Sequence, residues 1–496
     1  MHQNGAAIAY VRDGSETVPQ DDLTGGITLV CDLDETLIRT DMLYETFWAA
    51  FSSRWTAPVP AILALLGGRA ALKAHLAGAV EVQVETLPYQ DDVIAQLHEW
   101  KARGGRTALV TGADQTIADR IAAHLGLFDE VHGSDGSRNL KGQHKARLLE
   151  ERFGAGQYVY VGDSRADLPA WAGSAEAITM NAGPELRRAV EAGSAKARHL
   201  GAPTALMWPM IRALRPHQWL KNVLIFLPLL AGHALSAVSL MQAVMAFIAF
   251  SLVASSVYVM NDLLDLAADR AHPRKRFRPF ASGDLPLRHG TWMAPALLGI
   301  GAAIAVALGP VFVAVMVGYY AITTAYSLLL KRQPVLDIVT LAALYAIRIV
   351  AGGAATGIEL SVWLLAFSIF FFFSLAAVKR QAELVDGLAS GRDQAAGRGY
   401  RVDDLPLVAM MATASGYVSV MIMALYVNSP AVTVLYSRPE MLWGICGVLL
   451  YWISRMVFIT HRGQMHDDPV VFAARDRVSQ VLFLVILGFF TAGSLL

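Results

Sequence analysis

From residue 223 to the C-terminus the chain is a succession of apolar stretches, each near the ~20 residues that cross a bilayer as a helix. They run near 223–237, 239–260, 291–309, 311–330, 336–355, 362–380, 406–428, 440–460 and 477–496. No other feature restricts the fold as strongly. In hydrocarbon every backbone N–H and C=O must be paired within the segment, so stretches this long and apolar have to be helices. The first is short and interrupted by Pro228. The expectation is an all-α polytopic membrane domain over 208–496 with nine transmembrane helices. Lys and Arg collect in the loops after the second, fourth, sixth and eighth stretches, and the opposite loops carry one only near Arg438. By the positive-inside rule, everything before the first stretch is cytoplasmic and the C-terminus lies outside, as in a multi-pass protein of an inner (cytoplasmic) membrane.

The preceding residues have a different character. Residues 1–200 hold 19 Lys+Arg against 26 Asp+Glu, and residues 201–496 hold 22 against 15. An acidic soluble half thus precedes a basic membrane half, and the net charge of zero offers nothing to a nucleic acid. Mean hydropathy is +0.43. Two cysteines, Cys31 and Cys446, suggest neither a disulfide nor a zinc site and agree with a reducing compartment. Residues 1–26 read as a polar tail without a signal peptide, and 191–207 as a linker. Between them, short apolar runs at 27–31, 107–110 and 158–161 read as buried parallel strands separated by helical patterns. The domain over 27–190 is therefore expected to be a doubly wound, Rossmann-like α/β fold. Residues 41–88, apolar-periodic and helical, interrupt it after the first strand as a small cap would.

The chemistry of this domain sits at its strand ends. Asp32-Leu-Asp34-Glu-Thr36 offers a nucleophilic carboxylate and, two residues on, a general acid. Thr111-Gly112 offers a hydroxyl, Lys145 opens a helix, and Gly162-Asp163-Ser-Arg-Ala-Asp167 offers two more carboxylates. Four such sites in order resemble the motifs of haloacid-dehalogenase-type phosphatases. The resemblance implies Asp32 as nucleophile, Asp34 as acid/base, and Thr111 and Lys145 as phosphate ligands. It places Mg²⁺ among Asp32, Asp34, Asp163 and Asp167. Lys141 competes with Lys145 for the lysine role.

In the membrane half, Asn261-Asp262-Leu-Leu-Asp265-Leu-Ala-Ala-Asp269 follows the apolar run 243–260 and leads into Arg270, Arg274, Lys275, Arg276 and Arg278. On a continuous helix the three Asp, at i, i+3 and i+7, share one face, and three close carboxylates need cations between them. The pattern resembles the first Asp-rich motif of the UbiA superfamily of intramembrane prenyltransferases. Its continuation, His272-Pro-Arg-Lys-Arg-Phe-Arg-Pro279, is similar to the decaprenylphosphoryl-5-phosphoribose synthase branch. So are Arg215-Pro-His-Gln-Trp-Leu-Lys221-Asn222 and the stretch from Asp337 through Arg348 to Gly353. Asp337, Tyr345 and Arg348 are spaced to share a helix face. Ionisable groups inside a span are functional by default, although a private Asp–Arg pair would also account for them. Tyr326 and Lys331 end the fourth stretch. Lys379-Arg380-x-x-Glu383 and Arg475-Asp476-Arg477 are explained equally well by anchoring at the membrane surface.

The resemblance implies transfer of 5-phosphoribosyl from 5-phosphoribosyl 1-diphosphate to a polyprenyl (decaprenyl-like) phosphate. Mg²⁺ would be held by Asp262, Asp265 and Asp269, and the substrates by Lys221, Asn261, Arg274, Lys275, Arg276, Arg278, Tyr326, Lys331, Asp337, Tyr345 and Arg348. The phosphatase domain would then remove the 5-phosphate. The partners are the bilayer and the two substrates, with homo-oligomerisation left open. One rival is aromatic prenylation as in quinone synthesis, which needs a second D-x-x-x-D motif, but Leu341 stands four residues after Asp337. The other is a lipid-handling or transport protein with an attached phosphatase.

Overall fold

The computed structural model describes residues 26–135, 139–203, 205–391, 399–430, 432, 436–465 and 468–495. All of the expected polar tail except residue 26 lies outside them. The chain forms two compact units. One runs up to Leu206 and takes in Leu264–Leu287, and the other comprises Met207–Leu263 and Arg288–Leu496.

The first unit is built on six strands: β1 (Thr28–Cys31), β2 (Arg106–Asp114), β3 (Glu130–Ser134), β4 (Tyr158–Gly162), β5 (Glu176–Met180) and β6 (Ala197–Leu200). They pair in parallel in the order β3-β2-β1-β4-β5-β6, with Cys31 opposite both Leu109 and Val161. Both faces are covered, which is why the inner strands read as unbroken apolar runs. Leu29, Cys31, Leu109 and Val161 point into one core, and Val30, Ala108, Val110 and Tyr160 into the other. Three cap helices, α1 (Met42–Ser53), α2 (Pro58–Leu66) and α3 (Arg69–Ala79), lie between β1 and β2, within the stretch expected to form a cap. The covering helices are α4 (Asp91–Ala102), α5 (Gln115–Leu125), α6 (Gln143–Phe153), α7 (Leu168–Ala172) and α8 (Pro184–Gly193). The expected linker needs correction. Residues 197–200 are β6, a strand whose residues are all half-buried, so it lacks the apolar run that marks the central strands.

The second unit is helical. Among the described residues, eight helices are long and apolar enough to cross a membrane, not the nine expected. They are α9 (Ala237–Leu264), α10 (Leu287–Leu308), α11 (Pro310–Leu328), α12 (Leu336–Thr356), α13 (Val362–Ala389), α14 (Leu405–Val427), α15 (Trp443–His461) and α16 (Arg477–Leu495). The expected first span is broken into a 3-10 helix, Pro216–Phe226, and a short α-helix, Leu227–Ala231. Pro228 has no N–H to donate and its ring crowds the carbonyl four residues back, which disfavours a helix interior; here it stands in the first turn of the short helix, where no N–H is needed. The broken segment packs on α12 at Gly352, where a Cβ would run into the carbonyl oxygen of Ile225.

Candidate active sites

The soluble site forms where β1 and β4 lie side by side. Strand order reverses about β1, which opens a crevice beyond the strand ends. Asp32 follows β1 and Asp163 follows β4. The turn Leu33–Leu37 carries Glu35 at φ 54°. Asp32 accepts from the Leu33 N–H at 2.8 Å through Oδ1 and lies 2.7 Å from Lys145 Nζ through Oδ2. Lys145, on α6, also donates to the Tyr160 hydroxyl at 2.8 Å, and that hydroxyl donates to Asp167 Oδ1 at 2.9 Å. The Ser164 hydroxyl donates to the other Asp167 oxygen at 2.9 Å. Thr36 donates to Asp163 at 3.2 Å. Thr111 is fully buried within β2 and accepts from the Ala113 N–H at 3.0 Å.

This geometry separates the two candidate lysines. Lys145 is buried between Asp32 and Asp167, whereas Lys141 is exposed. Burial alone would lower the Lys145 ammonium, but the two carboxylates outweigh it and hold it above its usual range. Burial, reinforced by Asp41 and opposed by the Met42 N–H, pushes the Asp34 carboxyl well up. A carboxyl raised in this way beside a carboxylate is suited to donating a proton. Asp163 is also pushed well up, by burial and then by Asp167 and Asp32. Oxygens of Asp32, Asp163 and Asp167 all lie within 4.8 Å of one another, the one such metal-compatible group among the described residues. Three hard, mutually repelling oxygen donors fit a divalent cation. Sequence reasoning quoted Thr36 and Ser164 within the motifs without giving them a role, and missed Tyr160 and Lys73, which reaches from α3 to the Gly112 carbonyl. No signal marks Lys73, but Tyr160 and Ser164 flank motif residues.

The membrane unit gathers its charges into two groups. In the first, Asp468 accepts from Lys221 at 2.7 Å, Lys379 at 3.1 Å and the Tyr345 hydroxyl at 2.9 Å. Arg348 donates to Asn222 at 2.8 Å and lies over the rings of Tyr319 and Tyr345. Asp468 is buried, which would raise it, but Lys379 and Lys221 prevail and hold it well below the usual carboxylate range. In the second group Asp337 is fully buried and pairs with Arg380, while Tyr326 donates to Asp337 at 2.8 Å. Arg380 also bonds Glu383.

Two expectations change as a result. Asp337 bonds to Arg380 of α13 and Tyr326 of α11, while Tyr345 and Arg348 take their bonds in the Asp468 group. Surface anchoring does not describe Arg380, which is almost fully buried, nor Asp476, which pairs with Arg455 at 2.7 Å. Lys331 lies half-buried in the turn after α11. Asp468 was missed, since it sits in a loop that no span pattern marks, and Arg215, quoted within its motif, was given no role.

The Asp-rich stretch also departs from expectation. Helix α9 ends at Leu264, and a separate helix, Leu266–Ala271, begins after Asp265, so the three Asp do not line one continuous face. Asp262 is buried against Arg215, Asp265 is exposed, and Asp269 is buried with Arg278 at 2.6 Å. Asn261 donates to Ser327 at 3.2 Å. Arg274, Lys275 and Arg276 are exposed. Within the first unit, Arg270 grips Glu45 of α1 through two hydrogen bonds of 3.0 and 2.6 Å, both side chains buried.

Comparison with known proteins gives these sites their family. The UbiA prenyltransferase family model matches residues 223–490, more than half of the chain. The chain belongs to the UbiA prenyltransferase family. Residues 29–172 match the haloacid dehalogenase-like hydrolase model, so this UbiA member is an enzyme with a hydrolase domain on the same chain. Its eight apolar helices and its family make it an integral membrane protein. It is 38% identical to an uncharacterized Sinorhizobium fredii protein, y4nM, over 91% of this chain and 88% of that one. It is 33% identical to the decaprenyl-phosphate phosphoribosyltransferase of Mycolicibacterium smegmatis, over 58% of this chain and 93% of that one. Among solved structures, an Archaeoglobus fulgidus UbiA homologue bound to GPP and Mg²⁺ aligns with 18% identity and a TM-score of 0.45, over 57% of this chain and 98% of that one.

Proposed function

We propose that the membrane domain transfers 5-phosphoribosyl from 5-phosphoribosyl 1-diphosphate to a polyprenyl phosphate, and that the soluble domain then removes the 5-phosphate. The observation that carries this reading is the match to the Mycolicibacterium phosphoribosyltransferase over nearly its whole length. The buried cationic group of Lys221, Lys379 and Arg348 supports it, since a donor with three phosphate groups needs several cationic partners. In transfer, an oxygen of the lipid phosphate bonds to C1 of the ribose as the C1–diphosphate bond breaks. Asp262, Asp265 and Asp269 are the residues proposed to hold Mg²⁺, which would supply charge neutralisation to the departing diphosphate. Arg215 and Arg278, which neutralise Asp262 and Asp269, would turn to the phosphate oxygens.

In the soluble domain, Asp32 attacks the phosphorus of the 5-phosphate. Asp34 gives its proton to the leaving ribose oxygen, then takes one from the water that hydrolyses the aspartyl phosphate. Lys145 holds Asp32 in position, and Mg²⁺ at Asp32, Asp163 and Asp167 would balance the phosphoryl charge. We further propose that both sites face the cytoplasm and that the C-terminus lies outside an inner membrane. Membranes containing the enzyme, given ribose-labelled phosphoribosyl diphosphate and polyprenyl phosphate, should move the label into lipid only with a divalent cation present. Asp262→Ala should reduce this transfer by about a hundredfold or more. Undiminished labelling by that variant would remove Asp262 from the transfer site.

A further inference from the structure

Cap helix α2 is built inside out. Its small residues Ala57 and Ala61 pack inward, Ala61 being 3% exposed in a cluster with Ala50, Leu76, Leu43, Phe47 and Leu72. Its large residues point away. Val59, Ile62, Leu63 and Leu66 are 63%, 61%, 62% and 82% exposed, and Trp55, just before the helix, is 83% exposed. The positions 59, 62, 63 and 66 follow i, i+3, i+4 and i+7, so they form one stripe. A soluble domain gains nothing from presenting such a stripe to water, and contiguous exposed apolar surface marks an interaction site.

Charge indicates what covers the stripe. No Asp or Glu occurs from residue 46 through residue 80, although the domain as a whole is acidic, while Arg54, Arg69 and Lys73 fall in this window. Arg54 and Arg69 flank the stripe and are exposed. An apolar face with a Trp at its edge, in a sequence stretch whose only charged side chains are basic, matches the interface of an anionic leaflet. A bilayer is also the surface to which this domain is tethered by its own chain.

We infer that α2 is a membrane-inserting element, with Trp55, Val59, Ile62, Leu63 and Leu66 seated at the headgroup–acyl boundary of an anionic leaflet. Lys73, on the next helix of the same cap, reaches the Gly112 carbonyl beside Thr111. Seating the cap therefore brings the hydrolase site to the bilayer surface, where a lipid-linked phosphate ester is found. The choice of substrate rests on the phosphatase reading above; the membrane contact does not.

The test uses the full chain in nanodiscs. Cys31 and Cys446 are both buried, so an environment-sensitive fluorophore can be placed at Leu63→Cys, at Leu66→Cys, or at the control Arg188→Cys on α8. In discs of phosphatidylcholine with phosphatidylglycerol, the probes at 63 and 66 should shift to the blue and be quenched by doxyl-labelled lipid. The control should do neither, and omitting phosphatidylglycerol should weaken both effects. Probes at 63 and 66 as wet as the control would overturn the inference. So would shielding without doxyl quenching that appears only with two chains per disc, which would identify a second copy as the occupant. The triple variant Ile62→Gln, Leu63→Gln, Leu66→Gln should hydrolyse soluble p-nitrophenyl phosphate like wild type. It should lose about tenfold in rate on polyprenyl-phosphoryl 5-phosphoribose in vesicles. If wild type hydrolyses neither substrate while the probes are quenched, the phosphatase reading fails and the membrane contact stands.

Discussion

Asp468 shows how a single residue organises the membrane unit. It joins Lys221, from the broken segment, to Lys379 on α13 and Tyr345 on α12. A buried carboxylate shared by two ammonium groups is worth less as a stabiliser than its bond count suggests, because Asp468 and Lys221 have left water and Lys379 has done so in part. Removing it is another matter, since buried Lys221 and half-buried Lys379 then lose their counter-charge. Asp468→Ala should therefore lower unfolding stability by about 3–5 kcal/mol, read as a fall in the thermal midpoint in detergent. A midpoint equal to wild type would show that the lysines find other partners at no cost. Sequence reading located Lys221, Tyr345 and Arg348 but not the carboxylate they gather around. A lone Asp before Pro469 looks like a helix cap, and it is one: Asp468 also accepts from the Val470 N–H at 3.2 Å. At the soluble site the motif order located Asp32, Asp34, Asp163 and Asp167. The fold, not the motif order, is what sets Lys145 against Asp32 and leaves Lys141 exposed.

At the scale of elements, the segment after α9 differs most from its sequence pattern. Three Asp at helical spacing suggested one continuous helix, but the chain turns at Asp265, and Leu264–Leu287 packs with the soluble unit. The Glu45–Arg270 pair fixes that packing. Thr40 donates to Glu45 at 2.7 Å, and the Ala281 carbonyl accepts from Arg270 at 3.1 Å, so the buried charges are well satisfied. Arg270→Ala leaves Glu45 buried without its cation and should cost about 3–5 kcal/mol, seen as a lower thermal midpoint. Glu45→Gln in the same chain should recover part of that loss. If the double variant melts no higher than Arg270→Ala alone, the two residues are not coupled. Long-range pairs of this kind are not legible in a single sequence. The strands β1, β2 and β4 were legible because they are buried on both faces, and the helical character of 42–79 was legible from its periodicity. The strands β3, β5 and β6 were not recognised; β6, half-buried throughout, carries no comparable apolar signal.

At the scale of the whole molecule, the eight spanning helices leave the role of Pro216–Ala231 to decide the topology. An 11-residue 3-10 helix followed by a 5-residue α-helix reaches about 30 Å, close to the thickness of a hydrocarbon core. Irregular backbone at that depth is tolerated where protein buries it, and Lys221, Asn222, Ile225, Pro228 and Leu229 are all buried. We propose that this segment makes a ninth crossing, which would put the C-terminus outside the cytoplasm. A reporter enzyme that works only outside the cytoplasm should be active when fused after Leu496. Activity there of a cytoplasm-only reporter would mean eight crossings.

The central claim is that one chain makes a lipid-linked phosphoribose and dephosphorylates it, with a physical benefit from the tether. The intermediate cannot leave the bilayer, and an attached hydrolase meets it at high effective concentration. The most direct measurement is mass analysis of the lipid product after incubation with 5-phosphoribosyl 1-diphosphate and polyprenyl phosphate. Wild type should accumulate polyprenyl-phosphoryl-ribose with free phosphate, and Asp32→Asn should stop at the 5-phosphorylated lipid with transfer unaffected. The same dephosphorylated lipid from both proteins would contradict the account.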